Sequence, residues 1–477
     1  MQLRSTLIIA SVSASLGLVS ACGDSDGRTE GASGADETDA TSLSGTSAET
    51  GSGTNSGDGD GDGDGDGEGD GDGAPTGDGD GAPTGDGDGD GEPTGDGDGE
   101  PTGDGDGEGC PNAGEFLPVE KLIWIANSAQ GTVSKVDTET GQELGRYIVR
   151  ADSAGSPSRT SVNRFGDVAV ANRLGGVTKI SGSILNCVES NGIPGIQTSQ
   201  GANDVLPWGE DECVAWYSHI PHPDNRPIAW TNGVFNEETC EWEDVHVWTA
   251  WSDWAPGSAV VGLLDGDDGQ IIQTVPIPDL PNPWPNWHGF YGAAVDGSNN
   301  VWLSQLQGSN PQAAWLVKVN YDDFSYTGYP VAGDGGYGMT VTSEGYVWLC
   351  GTQTRRFNPQ TETWTTVPLL NGSVHTGGCM GDGNGILYRG GYGQIHGIDT
   401  LTMETVRVLD VAQGGDDFIW GVAIDFDGYV WGVPRNGSRA YKVDPDVNQI
   451  VHTLEGLVGA YTYSDMTGFA LLNVMPL

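Results

Sequence analysis

From Lys121 onward, short runs of alternating apolar and polar residues recur, each ended by Gly, Asn or Asp. LIWIAN (122–127), DVAVAN (167–172), VHVWTAW (245–251), NVWLSQ (300–305), YVWLCG (346–351), GILYRG (385–390) and YVWGVP (429–434) are the clearest. Their length, period of two and content of Val, Ile, Tyr and Trp predict β-strands. No stretch carries two turns of 3.6-residue apolar periodicity, so no long helix is predicted.

The runs are evenly spaced. Trp302 to Trp348 is 46 residues, Trp348 to Tyr388 is 40, and Tyr388 to Trp431 is 43. Ahead of each lies another short strand: YGAAVD (291–296), YGMTVT (337–342), TGGCMG (376–381) and WGVAID (420–425). Behind come strand and turn pairs such as VSKVDTETGQELG (133–145) and AYKVDPDVNQIVHTL (440–454). A unit of about 42 residues with four short strands predicts the blade of a β-propeller. The expected fold is therefore all-β: a seven-bladed ring, with eight blades as the alternative if FALLNV (469–474) forms a further strand. AYTYSDMTGFALLNV (460–474) is expected to close the ring by pairing into the N-terminal blade. Between Ser181 and Glu243 the spacing fails, which predicts an insertion at about 181–243, with Pro227–Asn232 able to serve as a first strand.

Ahead of this domain, placed at 111–477, the pattern disappears. Residues 1–22 begin with Arg4 and run apolar from Leu7 to Val19, the form of a secretory signal segment. Residues 23–110 carry 27 acids against Arg28 alone, within a chain of net charge -49. Gly-Asp alternation with repeated G-A/E-P-T-G-D-G-D cassettes offers nothing apolar to bury, so this stretch is expected to be a disordered, extended linker. Such an acidic chain lacks the cationic footprint of a nucleic-acid binder.

Seven cysteines are present. With Cys22 set aside, six remain: Cys110, Cys187, Cys213, Cys240, Cys350 and Cys379. An even number in an exported chain predicts disulfides. Cys350 and Cys379, in consecutive units, are expected to pair, and the other four to staple the insertion to itself and to Cys110. Zinc is the competing chemistry, but C-x2–4-C spacing is missing.

The residues opening the first strands would meet at the centre of a ring. They are His288, Phe290, Tyr291, Tyr337, His375, Trp420, Tyr461 and Tyr463, with Asp334, Asp416 and Asp417 just ahead of some. His288, Tyr291, Tyr337, His375, Trp420 and Tyr461 are the candidate ligand-binding residues, and an aromatic mouth rimmed by acids suits a protein, peptide, glycan or cationic ligand. His288 and His375 are the candidate general bases. No cofactor is predicted. Ca2+ or Mg2+ is the alternative, with Glu189 and Asn191 as candidate ligands in a loop that resembles a short calcium loop.

Val19-Ser20-Ala21-Cys22 resembles the bacterial lipobox, which implies lipid on Cys22 and a membrane as partner. The resemblance implies an extracytoplasmic position and leaves both the inner and the outer membrane open, the outer membrane or cell surface being the expected one. YGMTVTSEGYVWLCG (337–351), WGVAIDFDGYVWGVP (420–434) and VSKVDTETG (133–141) resemble the NHL, SMP-30-like and virginiamycin B lyase-like propellers. Asp211-Glu212-Cys213-Val214-Ala215-Trp216 and the ending Tyr461–Gly468 resemble secreted propeller lipoproteins of myxobacteria. Two functions are expected from these features: a membrane-anchored binding or scaffold module, or, as the lyase resemblance implies, a lyase or hydrolase with a histidine base and an acid-held magnesium at the channel mouth.

Overall fold

The computed structural model describes residues 110, 120–281, 288–306, 314–331, 336–368, 377–411 and 418–474. All belong to one unit, Glu100–Leu477. The signal segment, Cys22, the linker up to residue 109, His375, Asp334, Asp416 and Asp417 lie outside the described residues. Among the described residues no helix is long and apolar enough to cross a membrane.

The strands follow in order. β1 (Leu122–Asn127), β2 (Thr132–Asp137) and β3 (Glu143–Ile148) come first. Next are β4 (Pro157–Val162), β5 (Val168–Asn172), β6 (Val177–Ile180) and β7 (Val214–Ser218). Then follow β8 (Ile228–Trp230), β9 (Val234–Asn236), β10 (Glu241–Glu243), β11 (Val247–Trp251), β12 (Val260–Leu264) and β13 (Ile271–Pro276). The next two groups are β14 (Gly292–Val295), β15 (Val301–Ser304), β16 (Trp315–Val319), β17 (Tyr326–Pro330), and β18 (Gly338–Val341), β19 (Val347–Cys350), β20 (Thr354–Asn358), β21 (Thr363–Thr366). The last two are β22 (Cys379–Gly381), β23 (Ile386–Gly390), β24 (Gln394–Asp399), β25 (Thr405–Asp410), and β26 (Ile419–Ile424), β27 (Val430–Pro434), β28 (Gly437–Asp444), β29 (Gln449–Ala460).

Antiparallel pairing groups them into five separate four-stranded blades: β4–β7, β8 with β11–β13, β14–β17, β18–β21 and β22–β25. β9 and β10 form a separate two-stranded sheet, and the other seven strands form one continuous sheet, β26-β27-β28-β29-β1-β2-β3. The propeller is thus five-bladed by its separate four-stranded sheets, which corrects the expectation of seven or eight. The cause is local. Asn127 pairs with Ala460 across β1 and β29, so the first and last repeats share a ladder instead of forming blades of their own. A spacing in sequence counts repeats and is blind to such fusion.

Closure uses the expected segment differently. Tyr461 N donates to Ala126 O at 3.1 Å, and Trp124 N donates to Met466 O at 2.8 Å. The chain end therefore lies along β1, but FALLNV is not a strand: Phe469–Leu472 is a short helix, α1. Gly468 precedes it at φ 89, a left-handed turn that breaks the extended run. The stretch 181–243 is also more regular than expected. β7 completes a blade and β8 opens the next, leaving an excursion between β6 and β7 and a β9–β10 hairpin between β8 and β11.

Side-chain acceptors make the tight turns. Asp425 Oδ1 accepts from the amides of Asp427 at 3.1 Å and Tyr429 at 3.0 Å. Asp382 takes those of Asn384 and Ile386, and Asn163 those of Phe165 and Asp167. Such Asx turns fix each strand pair. The Trp residues of the second strands, Trp124, Trp248, Trp302, Trp348 and Trp431, are at most 2% exposed and fill the space between sheets.

Three disulfides are present: Cys110–Cys240, Cys187–Cys213 and Cys350–Cys379. Cys350 and Cys379 join β19 to β22 in consecutive blades, as expected. The other two fasten the excursion to itself and the β9–β10 turn to Cys110.

Candidate functional site

The first strands β4, β8, β14, β18, β22 and β26 pack side by side around the axis. At their opening ends Tyr291, Tyr337, Trp420, Tyr461 and Tyr463 form one buried cluster, with Leu306 and Phe418 packed against it. Tyr291 and Tyr337 stand just before the first residues of β14 and β18, Trp420 is the second residue of β26, and Tyr461 and Tyr463 lie on the closing segment beside β1. Tyr291 Oη donates to Tyr337 Oη at 3.1 Å, and the hydroxyls of Tyr337 and Tyr461 are in contact. Burial raises the Tyr337 phenol well above its ordinary value, so it stays protonated.

His288 stands beside this cluster, its ring 6.1 Å from that of Tyr291. Its Nδ1 hydrogen-bonds Asp224 Oδ1 at 3.1 Å. Asp224 is 1% exposed and takes three further bonds: from Arg226 Nε at 2.7 Å, Ser252 Oγ at 3.0 Å and the Gly289 amide at 2.9 Å. Burial opposes its charge, but the His288 hydrogen bond and the Arg226 guanidinium outweigh burial and hold the carboxyl well below its usual range. Asp224 sits at φ 60, a left-handed conformation uncommon for a non-glycine residue. Its four bonds over-determine that conformation, the circumstance in which such backbone strain persists. With Nδ1–H donating to Asp224, the neutral imidazole presents Nε2 as a proton acceptor. The His288 side chain is 19% exposed, so the ring is held and still reaches solvent.

Arginines surround the aromatic faces. Arg159 lies 3.6 Å above the Tyr463 ring, Arg173 4.6 Å above Tyr461, Arg226 4.8 Å above Tyr291 and Arg435 4.3 Å above Trp420. Burial pushes the Tyr463 phenol up, yet Arg159, Arg226 and Arg173 together bring it below its ordinary value.

Of the sequence-derived site residues, His288, Tyr291, Tyr337, Trp420 and Tyr461 thus lie together, and His375 is outside the described residues. Sequence reasoning missed Asp224, Arg159, Arg173, Arg226 and Arg435. A signal existed: Asp224 and Arg226 stand just ahead of β8, in the same relation to a first strand as His288 to β14. The irregular spacing around β8 concealed it.

Glu189 and Asn191 are engaged within their own loop. Glu189 Oε1 accepts from the Asn191 and Gly192 amides at 3.0 and 2.6 Å, and Asn191 Nδ2 donates to Gln197 Oε1 at 2.8 Å. Glu212 accepts from the amides of Ser190, Asn191 and Gln197, and these backbone bonds hold its carboxyl below the usual range. Among the described residues no three His, Cys, Asp or Glu side chains converge as a metal site.

No family model matches the chain, and no curated protein matches it. Among solved structures, a streptogramin B lyase aligns at 15% identity over 66% of this chain and 87% of that one, with a TM-score of 0.44. A catalytically inactive virginiamycin B lyase from Staphylococcus aureus with quinupristin aligns at 13% identity over 72% and 88%, TM-score 0.41. A protein from Lactobacillus plantarum aligns at 14% identity over 72% and 98%, TM-score 0.45. At these values the alignments assign no residue and no activity.

Proposed function

We propose that this propeller carries an acid–base site of the lyase or hydrolase kind at the mouth of its ring, with His288 as the proton acceptor. The observation that carries this reading is the His288–Asp224 pair: a half-open imidazole aligned by a buried, four-times-bonded carboxylate, beside tyrosine hydroxyls and arginines. Asp224 sets the ring's tautomer and stabilises the imidazolium formed when Nε2 takes a proton. Arg226, whose Nη1 donates to Tyr291 Oη at 3.4 Å, supplies positive charge next to it for negative charge developing on a substrate oxygen. In an ester elimination the imidazole takes the proton from the carbon β to the ester oxygen, the C–H pair becomes a C=C bond, the C–O bond breaks, and the carboxylate leaves with that bonding pair. In hydrolysis the same base takes a proton from water.

The test is incubation with a panel of linear and cyclic esters, read by mass spectrometry. Elimination from a cyclic ester leaves the mass unchanged, and hydrolysis adds one water. His288→Gln is expected to lower kcat by about 100-fold or more. Turnover that survives in His288→Gln would overturn the assignment.

A second reading, ligand binding without chemistry, is favoured by the depth of Tyr337, Tyr461 and Tyr463, all at most 5% exposed. It predicts saturable binding with no product. In either case the domain is proposed to be displayed outside the cytoplasm on a lipid at Cys22, held off by the 23–110 stretch. Cys22→Ala is expected to move the protein from the membrane fraction to the soluble one.

A further inference from the structure

The chain is strongly acidic, yet four of its arginines meet on one aromatic cluster. Arg226 is paired with Asp224. Among the described residues no carboxylate reaches Arg159, Arg173 or Arg435. Arg159 is the extreme case. It is 1% exposed, its Nη2 donates to the Tyr337 carbonyl at 2.8 Å, and its Nε has no hydrogen-bond partner. Trp420 Nε1, in the same cluster, is likewise buried without one. Buried donors are nearly always satisfied, and a buried guanidinium without a counter-ion is costly. One open donor on such a cation and another on Trp420 in the cluster that it packs against are what an incoming anion would satisfy.

The rim continues the same charge. Arg173 and Arg435 are partly exposed and flank the Trp420–Tyr461 pair, whose rings are 5.2 Å apart. His288 stands beside Tyr291 of the same cluster. Aromatic faces on several sides suit a flat group, and guanidinium pairs planar oxyanions in two parallel hydrogen bonds. The ionised Asp224 nearby disfavours a dianion. We propose that this arginine–aromatic centre recognises a ligand bearing a carboxylate, bound past Arg173 and Arg435 toward Arg159. It rests on the acid–base reading for one feature, the placement of that ligand beside His288.

The experiment uses the purified full chain, with calorimetry and tryptophan fluorescence as readouts. Benzoate and acetate are the probes, benzamide the neutral isostere of benzoate, and inorganic phosphate the tetrahedral anion. Benzoate and acetate are expected to bind and to quench or shift Trp420 emission, benzamide to bind on the order of tenfold more weakly or not at all, and added salt to weaken binding. Arg435→Gln and Arg173→Gln, both on the rim, are expected to weaken benzoate by on the order of tenfold with an unchanged melting temperature. Equal binding of benzamide, tighter binding of phosphate, no binding by either carboxylate, or full affinity in both variants would each overturn the proposal. In the no-binding case the arginines are neutralised from within the chain. His288→Gln separates the two readings: it is expected to retain benzoate while losing turnover. Carboxylate binding without any turnover leaves the recognition site standing and removes the acid–base reading. Turnover of neutral esters without carboxylate binding does the reverse.

Discussion

Asp465 shows how one buried acid makes stability depend on pH. Its carboxylate accepts from the amides of Thr467 at 3.2 Å, Gly468 at 2.9 Å and Val162 at 3.3 Å. With Ser161, Thr340 and Met380 it lines a small apolar cavity among the inner strands. Burial outweighs the three amides and raises the carboxyl to about 6. The folded state therefore holds this proton more tightly than the unfolded chain, whose carboxyl titrates near about 4. The contribution to stability is complete below that value and is lost as pH rises through about 6. Unfolding free energies from urea titrations are expected to fall across this window, by an amount on the order of 3 kcal/mol at most. Asp465→Asn is expected to flatten that slope. An unchanged slope would assign the proton to another group. At the site, Asp224→Asn removes the charge that holds both Arg226 and His288. Breaking this buried Asp224–Arg226 pair is expected to cost about 3–5 kcal/mol, measured by chemical unfolding.

At the scale of the strand pair, the turn acid and the tryptophan of the next strand act together. Trp302 Nε1 donates to Asp296 Oδ2 at 3.0 Å, and Trp431 Nε1 to Asp425 Oδ2 at 2.9 Å. Asp425 is fully buried and also meets Lys442 Nζ at 3.1 Å. One side chain thus shapes the turn, satisfies the indole and neutralises a buried cation. Asp425→Ala is expected to destabilise by about 3–5 kcal/mol. In the repeat containing β18 and β19, Thr342 stands where the acid would be, and Trp348 Nε1 is buried without a partner. Thr342→Asp is expected to gain about 1 kcal/mol by supplying the missing acceptor. A loss of stability in that variant would show that the turn leaves no room for the carboxylate.

Across the whole molecule, the rhythm of Trp302, Trp348, Tyr388 and Trp431 was legible because each residue occupies the same buried slot of a repeated strand pair. So was the Cys350–Cys379 pairing, since consecutive repeats must touch. The blade count was not legible. It depends on Asn127 meeting Ala460, a pairing between residues at opposite ends of the domain that leaves no periodic trace. Phe469–Leu472 misled for a different reason: it buries Phe469 and Leu471 and exposes Leu472 from one helical turn, an alternation that over so short a run looks like a strand. The aromatic half of the candidate site could be read from its position ahead of each first strand. The charged half could not, because Arg159 lies inside a strand and Asp224 within an irregular stretch.

The disulfide between Cys110 and Cys240 spans 130 residues, against 29 for Cys350–Cys379. In the chain-entropy picture the longer loop gains more, about 5 against about 3.5 kcal/mol. It has a mechanical consequence as well. Tension applied upstream of Cys110 does not travel only along the backbone toward β1, the strand on which ring closure depends. It divides at Cys110 and is passed in part to the hairpin turn at Cys240. Force on the chain ahead of Cys110 would then be shared between two attachment points, and the seam between β1 and β29 would be relieved of part of the load.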